Sequence, residues 1–285
     1  MERRRGGHTR CVLTTPLTSA DVAATLRELG LAGRTVMVHT AMSRLGHVVG
    51  AEDGLLRGIL DAVGPDGTTV MPAQSWQLCD PAFLRLPDID PEWYPLLRDH
   101  LPPYDPARTP TRTMGAVAEL FRTWPGVLRS GHPQRSVAAL GPHASRVTAV
   151  HDLDDAAGER SPMRALEDLD ALVCLLGTGF DSCTALHLAE NRTDWPGRTV
   201  VDQGAPMTVD GERRWVTWRE VVPADEDFGA CGAGFRAAHP ALVASARLGA
   251  AEVVVVPVRE LVAYATNWFA EHRGGSVLAA QPRGR

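Results

Sequence analysis

Asp170-Ala171-Leu172-Val173-Cys174-Leu175-Leu176-Gly177-Thr178-Gly179-Phe180-Asp181 is the stretch on which the reading of this chain turns. From Ala171 to Leu176 the run is apolar without polar alternation, the profile of a strand covered on both faces. Two glycines then turn the chain, and Thr184 to Asn191 continues as a helix. A buried strand that feeds a glycine turn and then a helix is the building unit of α/β proteins. Their ligands bind beyond the carboxyl ends of the parallel strands.

The flanking sequence repeats this alternation. Leu17 to Leu31 carries a Thr18-Ser19 cap, apolar Val22, Leu26 and Leu29 at helical spacing, and a terminating Gly30. Thr35 to His39 reads as a short buried strand, Glu52 to Val63 as a helix, Gly64-Pro65-Asp66-Gly67 as a turn and Thr68 to Met71 as a second strand. That strand, helix, strand order implies parallel pairing. Gln77 to Thr113 is dense in proline and holds no period, so it reads as loops and short helices passing over the cleft. Further on, Met114 to Arg122 is helical, Val137 to Leu140 a strand and Arg164 to Leu169 a helix. Thr208 to Trp218 forms a hairpin about Asp210-Gly211, and Val253 to Val256 and Leu261 to Glu271 close the chain as strand and helix. The expected fold is a single α/β domain over residues 15–273, with tails at 1–14 and 274–285. Its central sheet is mixed, largely parallel and flanked by helices, and a loop-rich excursion passes over the active cleft.

Composition narrows the function. The 285 residues are 44% hydrophobic, enough for one large core, and carry a formal net charge of -5. No run approaches the roughly 18 to 20 apolar residues of a membrane helix, and the arginine-rich start leads into polar residues rather than a signal sequence, so a cytoplasmic protein without membrane contact is expected. Five scattered cysteines, Cys11, Cys79, Cys174, Cys183 and Cys231, form neither a disulfide framework nor a zinc ribbon. Acidic clusters at Asp88, Asp90 and Glu92, at Asp152, Asp154 and Asp155, and at Asp225, Glu226 and Asp227 suit a cationic ligand, or are solvated loops. They argue against nucleic acid, whose backbone needs a basic face.

Three segments concentrate reactive side chains. On the helix after Gly177, Cys183 and His187 are four apart and His187 and Glu190 three apart, so all can share a face. Histidine suits removal of a proton from an amine near neutral pH, and a carboxylate such as Glu190 would orient the ring. His187 is otherwise a half-buried helix residue. Cys183 reads either as an acyl-carrying nucleophile or as a small buried thiol. In Arg129-Ser130-Gly131-His132-Pro133-Gln134-Arg135-Ser136 two arginines and two hydroxyls could hold phosphate. His39-Thr40-Ala41-Met42-Ser43-Arg44 follows the first strand with hydroxyls of its own. Arg27-Glu28-Leu29-Gly30-Leu31-Ala32 imitates a phosphate loop but sits where a helix ends. Gly177 to Ser182, with Asp202 further on, approximates a dinucleotide fingerprint and leaves an NAD(P)-dependent oxidoreductase as an alternative.

Six ordered segments resemble the antibiotic N-acetyltransferase family that includes the aminoglycoside 3-N-acetyltransferases. They are Val38 to Gly46; Val63 to Thr68 with Met71-Pro72; Tyr104-Asp105-Pro106 with Met114 to Glu119; Arg129-Ser130 with His132-Pro133 and Ser136; Ser161-Pro162; and Leu175-Leu176-Gly177 with Thr184 to Glu190. The resemblance implies transfer of acetyl from acetyl-CoA to the 3-amino group of the 2-deoxystreptamine ring of a cationic aminoglycoside, conferring resistance, by a monomer or homodimer without a metal. It implies His187 as general base with Glu190 beside it, and Thr40, Ser43, Arg129, Ser130 and Ser136 around the coenzyme. Glu119, Asp181 and Glu190 would meet ammonium groups. Ala41 stands where the family usually carries a second hydroxyl, and the segment from Pro223 to Leu248 matches less clearly than the core. A related acyltransferase acting on a biosynthetic amine is the neighbouring reading, and a non-catalytic sequestering protein a more distant one.

Overall fold

The computed structural model describes residues 15–278. The expected N-terminal tail, 1–14, and Cys11 within it lie outside the described residues. Eleven strands are formed there: β1 Thr35–Thr40, β2 Thr68–Pro72, β3 Leu128–Arg129, β4 Val137–Leu140, β5 Leu172–Leu176, β6 Thr193–Asp194, β7 Val200–Val209, β8 Glu212–Val221, β9 Ala244–Leu248, β10 Ala251–Pro257 and β11 Ser276–Val277. The α-helices are α1 Ser19–Glu28, α2 Ala51–Val63, α3 Pro81–Leu84, α4 Tyr94–His100, α5 Ala116–Arg122, α6 Ala144–Ala149, α7 Pro162–Asp168, α8 Leu186–Asn191, α9 Phe228–Ala238 and α10 Val258–His272.

Seven strands form one mixed sheet in the order β3-β4-β2-β1-β5-β10-β9. Its centre, β2-β1-β5, is parallel. The outer pairings are antiparallel, so five of the seven strands run the same way. Because successive side chains leave a strand on opposite faces, the apolar runs supply two cores at once. Met37, Val173, Leu175, Val254 and Val256 pack on one face with residues of α6 to α10, including Leu186, Leu188, Phe228 and Phe269. Val36, Val38, Cys174, Leu176, Val253 and Val255 pack on the other with residues of α1, α2 and α5. Ala171 to Leu176 reads as continuously apolar because both faces of β5 are covered.

Local chemistry sets the element ends. The Thr18 hydroxyl accepts from the Asp21 N–H at 3.2 Å while the Asp21 carboxylate accepts from the Thr18 N–H at 2.8 Å, a reciprocal cap on α1. Asp210 and Gly211, with φ of 52° and 80°, make the tight turn between β7 and β8. That hairpin is longer than Thr208 to Trp218 suggests. It stands apart from the main sheet and clamps the loop before β4: the Gln134 amide donates to the Gly204 carbonyl at 3.0 Å and Arg135 pairs with buried Glu220.

The sequence reading missed α6, α9 and β9. Gly274 to Leu278 belongs to the fold: β11 pairs antiparallel with β6, and the Leu278 N–H donates to the Arg192 carbonyl at 2.7 Å. Among the described residues no helix is long and apolar enough to cross a membrane.

Candidate active site

The chain leaves β1, β2 and β5 into one cleft of about 290 Å³, lined by His39, Thr40, Trp76, Arg135, Asp181, Cys183, His187 and Asp225 among others. Its position follows from the topology, since parallel strands deliver their following loops to the same edge of the sheet.

His187 lies on α8 with 16% of its side chain exposed, and its Nδ1 is 2.7 Å from Glu190 Oε2. Its ring packs against Phe228 at 4.9 Å between centroids. With Nδ1 held by the carboxylate, Nε2 has no hydrogen-bond partner among the described residues. Glu190 is 1% exposed and its other oxygen is also engaged, accepting from the Ala224 N–H at 2.8 Å and from Arg273 Nη1 at 3.0 Å. Arg273 in turn pairs with Asp227 at 2.6 Å and lies over the rings of Trp195 and Phe269. The line Arg273, Glu190, His187 fixes the ring by its far nitrogen. Arg273 was invisible to local spacing, since it stands 83 residues from Glu190.

Other anticipated residues divide between cleft and scaffold. Thr40 and Asp181 line the cleft, and Ser43 is exposed on the 3₁₀ turn Met42–Arg44 that follows β1. Glu190 is buried, and its oxygens accept from His187, Ala224 and Arg273. Glu119 binds Arg122 and the Thr111 N–H and hydroxyl, at 2.7 and 2.8 Å for the latter two, and is not among the lining residues. Arg129, Ser130 and Ser136 do not form an open phosphate loop. The Arg129 guanidinium donates to the carbonyls of Ala73, Pro106 and Thr109 and to the Ser75 and Ser136 hydroxyls. Ser130 and Ser136 are fully buried, bonded to His151 and to the Ala73 carbonyl.

Cys183 is shared with the cleft but is 1% exposed, and burial pushes its thiol up to about 12. A thiol so disfavoured as an anion is a poor acyl acceptor. Of the acidic clusters, Asp225 reaches the cleft, Asp227 holds Arg273, Asp152 holds Arg160 and Asp90 caps the turn at Pro91–Trp93. His39, marked in the sequence only as the start of the segment after the first strand, is a cleft residue: it is 6% exposed and its Nε2 is buried without a partner among the described residues. Burial drives its imidazole down to about 4, and the neighbouring His187 pushes the same way.

Gly177 to Ser182 does not form a dinucleotide turn. Gly179 leads into a 3₁₀ turn, Phe180–Ser182, and α8 begins only at Leu186, so no helix N-terminus opens at the glycines.

Fold and site together define an α/β enzyme whose cleft presents a carboxylate-held histidine. The family model described as aminoglycoside 3-N-acetyltransferase matches residues 37–270. The chain is 38% identical over 258 residues to the SPbeta prophage-derived aminoglycoside N(3')-acetyltransferase-like protein YokD of Bacillus subtilis, covering 90% of this chain and 93% of that one. The crystal structure of YokD superposes with a TM-score of 0.87 at 36% identity, over 92% of this chain and 96% of that one. Aminoglycoside N(3)-acetyltransferase VIII of Streptomyces fradiae is 34% identical, with 93% and 96% of the two chains covered. A solved binary complex of AAC-IIIb with CoASH matches at a TM-score of 0.79 and 32% identity, over 94% of this chain and all, 100%, of that one. The chain belongs to the aminoglycoside 3-N-acetyltransferase family and is an acyl transferase.

Proposed function

We propose that the chain transfers the acetyl group of acetyl-CoA directly to the 3-amino group of an aminoglycoside's deoxystreptamine ring, with His187 as general base. The observation that carries this reading is the His187–Glu190 pair at 2.7 Å, opening on a cleft at the carboxyl ends of the parallel strands. The complex of the related AAC-IIIb with CoASH supports the coenzyme, and the hydroxyls of Thr40 at the end of β1 and of Ser43 on the turn that follows it would meet it.

With Nδ1 tied to Glu190, the His187 Nε2 lone pair takes a proton from the substrate ammonium. His187 passes that proton to solvent; the freed amine attacks the acetyl carbonyl, and as the new C–N bond forms and the C–S bond breaks, His187 takes the second proton from the now cationic nitrogen and hands it to the departing thiolate. Glu190 keeps the ring oriented and offsets the imidazolium charge that appears midway. Asp181 and Asp225 at the cleft supply negative charge for the remaining ammonium groups. Expression of the chain in a susceptible host should then raise tolerance to the aminoglycosides it acetylates.

The test is thiol release with acetyl-CoA and an aminoglycoside panel, followed by locating the acetylated amine by NMR. His187→Ala should lower kcat at least about a hundredfold while coenzyme binding persists. Near-normal turnover in that variant would overturn the assignment. No thiol release with any aminoglycoside would direct the search to other amines.

A further inference from the structure

The cleft contains two imidazoles whose surroundings are opposite. His187 has a buried carboxylate on one nitrogen. His39 has none: neither ring nitrogen finds a hydrogen-bond partner among the described residues, and Nε2 is wholly buried. A buried polar group left unsatisfied destabilises the fold, and one that native structures retain calls for a cause, a catalytic role among them.

The placement of His39 follows from the sheet. Met37 packs on the face that α8 covers, so His39, two residues on, leaves β1 on that same side, directly towards the helix that bears His187. Both residues line the cleft. β1 and β5 are paired in register there, His39 opposite Leu175, which brings the end of β1 beside the turn that leads to α8.

We propose that His39 is a second catalytic residue, a neutral imidazole that donates its N–H to the carbonyl oxygen of the acetyl thioester as negative charge develops on it. This rests on the acetyl-transfer reading above. The ordering of the pair is what the chemistry requires. In the reaction one group must become cationic, and the imidazole with a carboxylate does so. The other must donate without ionising, because two imidazolium ions in one cleft would repel. Burial away from any carboxylate holds His39 in its neutral form throughout the working range. A neutral imidazole acting as electrophile beside a separate base, its charged form disfavoured there by a helix N-terminus rather than by burial, is an established solution to carbonyl chemistry in another fold.

Two variants, His39→Leu and His39→Asn, test this. Leucine fills the space without a donor, while asparagine keeps an N–H near the same place. Loss of one oxyanion donor lowers kcat by about 100- to 1000-fold, so His39→Leu should fall by that factor with KM for both substrates changed less than about threefold. His39→Asn should retain at least about a tenth of wild-type kcat. Equal losses in the two variants, or near-normal kcat in His39→Leu, would overturn the role. If either variant fails to fold, ¹⁵N-histidine NMR of the full wild-type chain decides: His39 should stay neutral from pH 8 to 5, and its nitrogen signals should move when acetyl-CoA is added. A resonance titrating near 6.5, or one indifferent to acetyl-CoA, would overturn it. An inactive wild-type enzyme would instead refute the acetyl-transfer reading, which these arms leave separate.

Discussion

At the scale of single residues, the site is a problem of charge placement. Glu190 is buried, and a buried carboxylate is tolerable only when paired and hydrogen-bonded. Its permanent counter-charge is Arg273, 3.0 Å away and itself 8% exposed. Arg273→Leu should leave Glu190 with an uncompensated charge and cost about 3–5 kcal/mol of stability, visible as a lower urea midpoint. Arg273→Lys should recover part of this, because an ammonium can still neutralise Glu190 although it lacks the fork that also holds Asp227. Wild-type midpoints in both variants would show that Ala224 and solvent suffice. His187 and Glu190 were legible in the sequence because a helix turns an i, i+3 spacing into contact. His39 and Arg273 were not, because the partners that matter to them are distant in sequence, Arg273 standing 83 residues from Glu190. The internal partners of Arg129, Ser130 and Ser136 were hidden for a related reason: a loop of hydroxyls and arginines looks the same on paper whether it faces phosphate or the carbonyls of Ala73 and Thr109.

At the scale of elements, α9 shows how glycine permits a contact that propensity alone would discourage. Its sequence, Phe228-Gly229-Ala230-Cys231-Gly232-Ala233-Gly234-Phe235, carries three glycines in a helix, each unfavourable there by about 0.8–1 kcal/mol relative to alanine. A Cβ on Gly232 would lie 2.0 Å from the ring of Phe180, which is buried in the turn between β5 and α8. Close approach of α9 to that turn also seats Phe228 against His187. Gly232→Ala should therefore destabilise by about 1–3 kcal/mol in spite of alanine's better helix propensity; a raised melting temperature would show that the turn yields freely. Composition of this kind is why α9 escaped sequence reading, whereas α1, with its reciprocal cap and Leu26 stripe, and β5, with both faces apolar, were plain. Strand β9 was hidden similarly, since Ala244 to Leu248 is half exposed and gains its identity from pairing with β10.

At the scale of the whole molecule, three interior histidines, His39 and His132 buried and His151 half-buried, make stability depend on pH. His39 and His151 are held to about 4, chiefly by burial, and His132 lies well below its ordinary value for the same reason. His132 Nδ1 accepts the Gln134 and Arg135 N–H groups at 3.2 and 3.1 Å, so a proton there would displace two hydrogen bonds. In the unfolded chain each ring titrates near about 6.5. Between that value and the folded ones the unfolded state binds more protons, so stability is complete above pH about 6.5 and is lost as the pH falls towards about 4. The slope is about 1.4 kcal/mol per pH unit for each ring, so about 4 for the three together. Urea midpoints at pH 7, 6 and 5 should decline accordingly; a flat series would mean that these sites admit protons without unfolding.

The reach of Arg273 back to Glu190, across 83 residues, also orders events during synthesis. A nascent chain that has emerged only as far as α8 already holds His187 and Glu190 on one helix, while the residue that supplies their counter-charge has still to be added. The buried carboxylate is therefore left uncompensated until α10 and the Arg273 that caps it have been made.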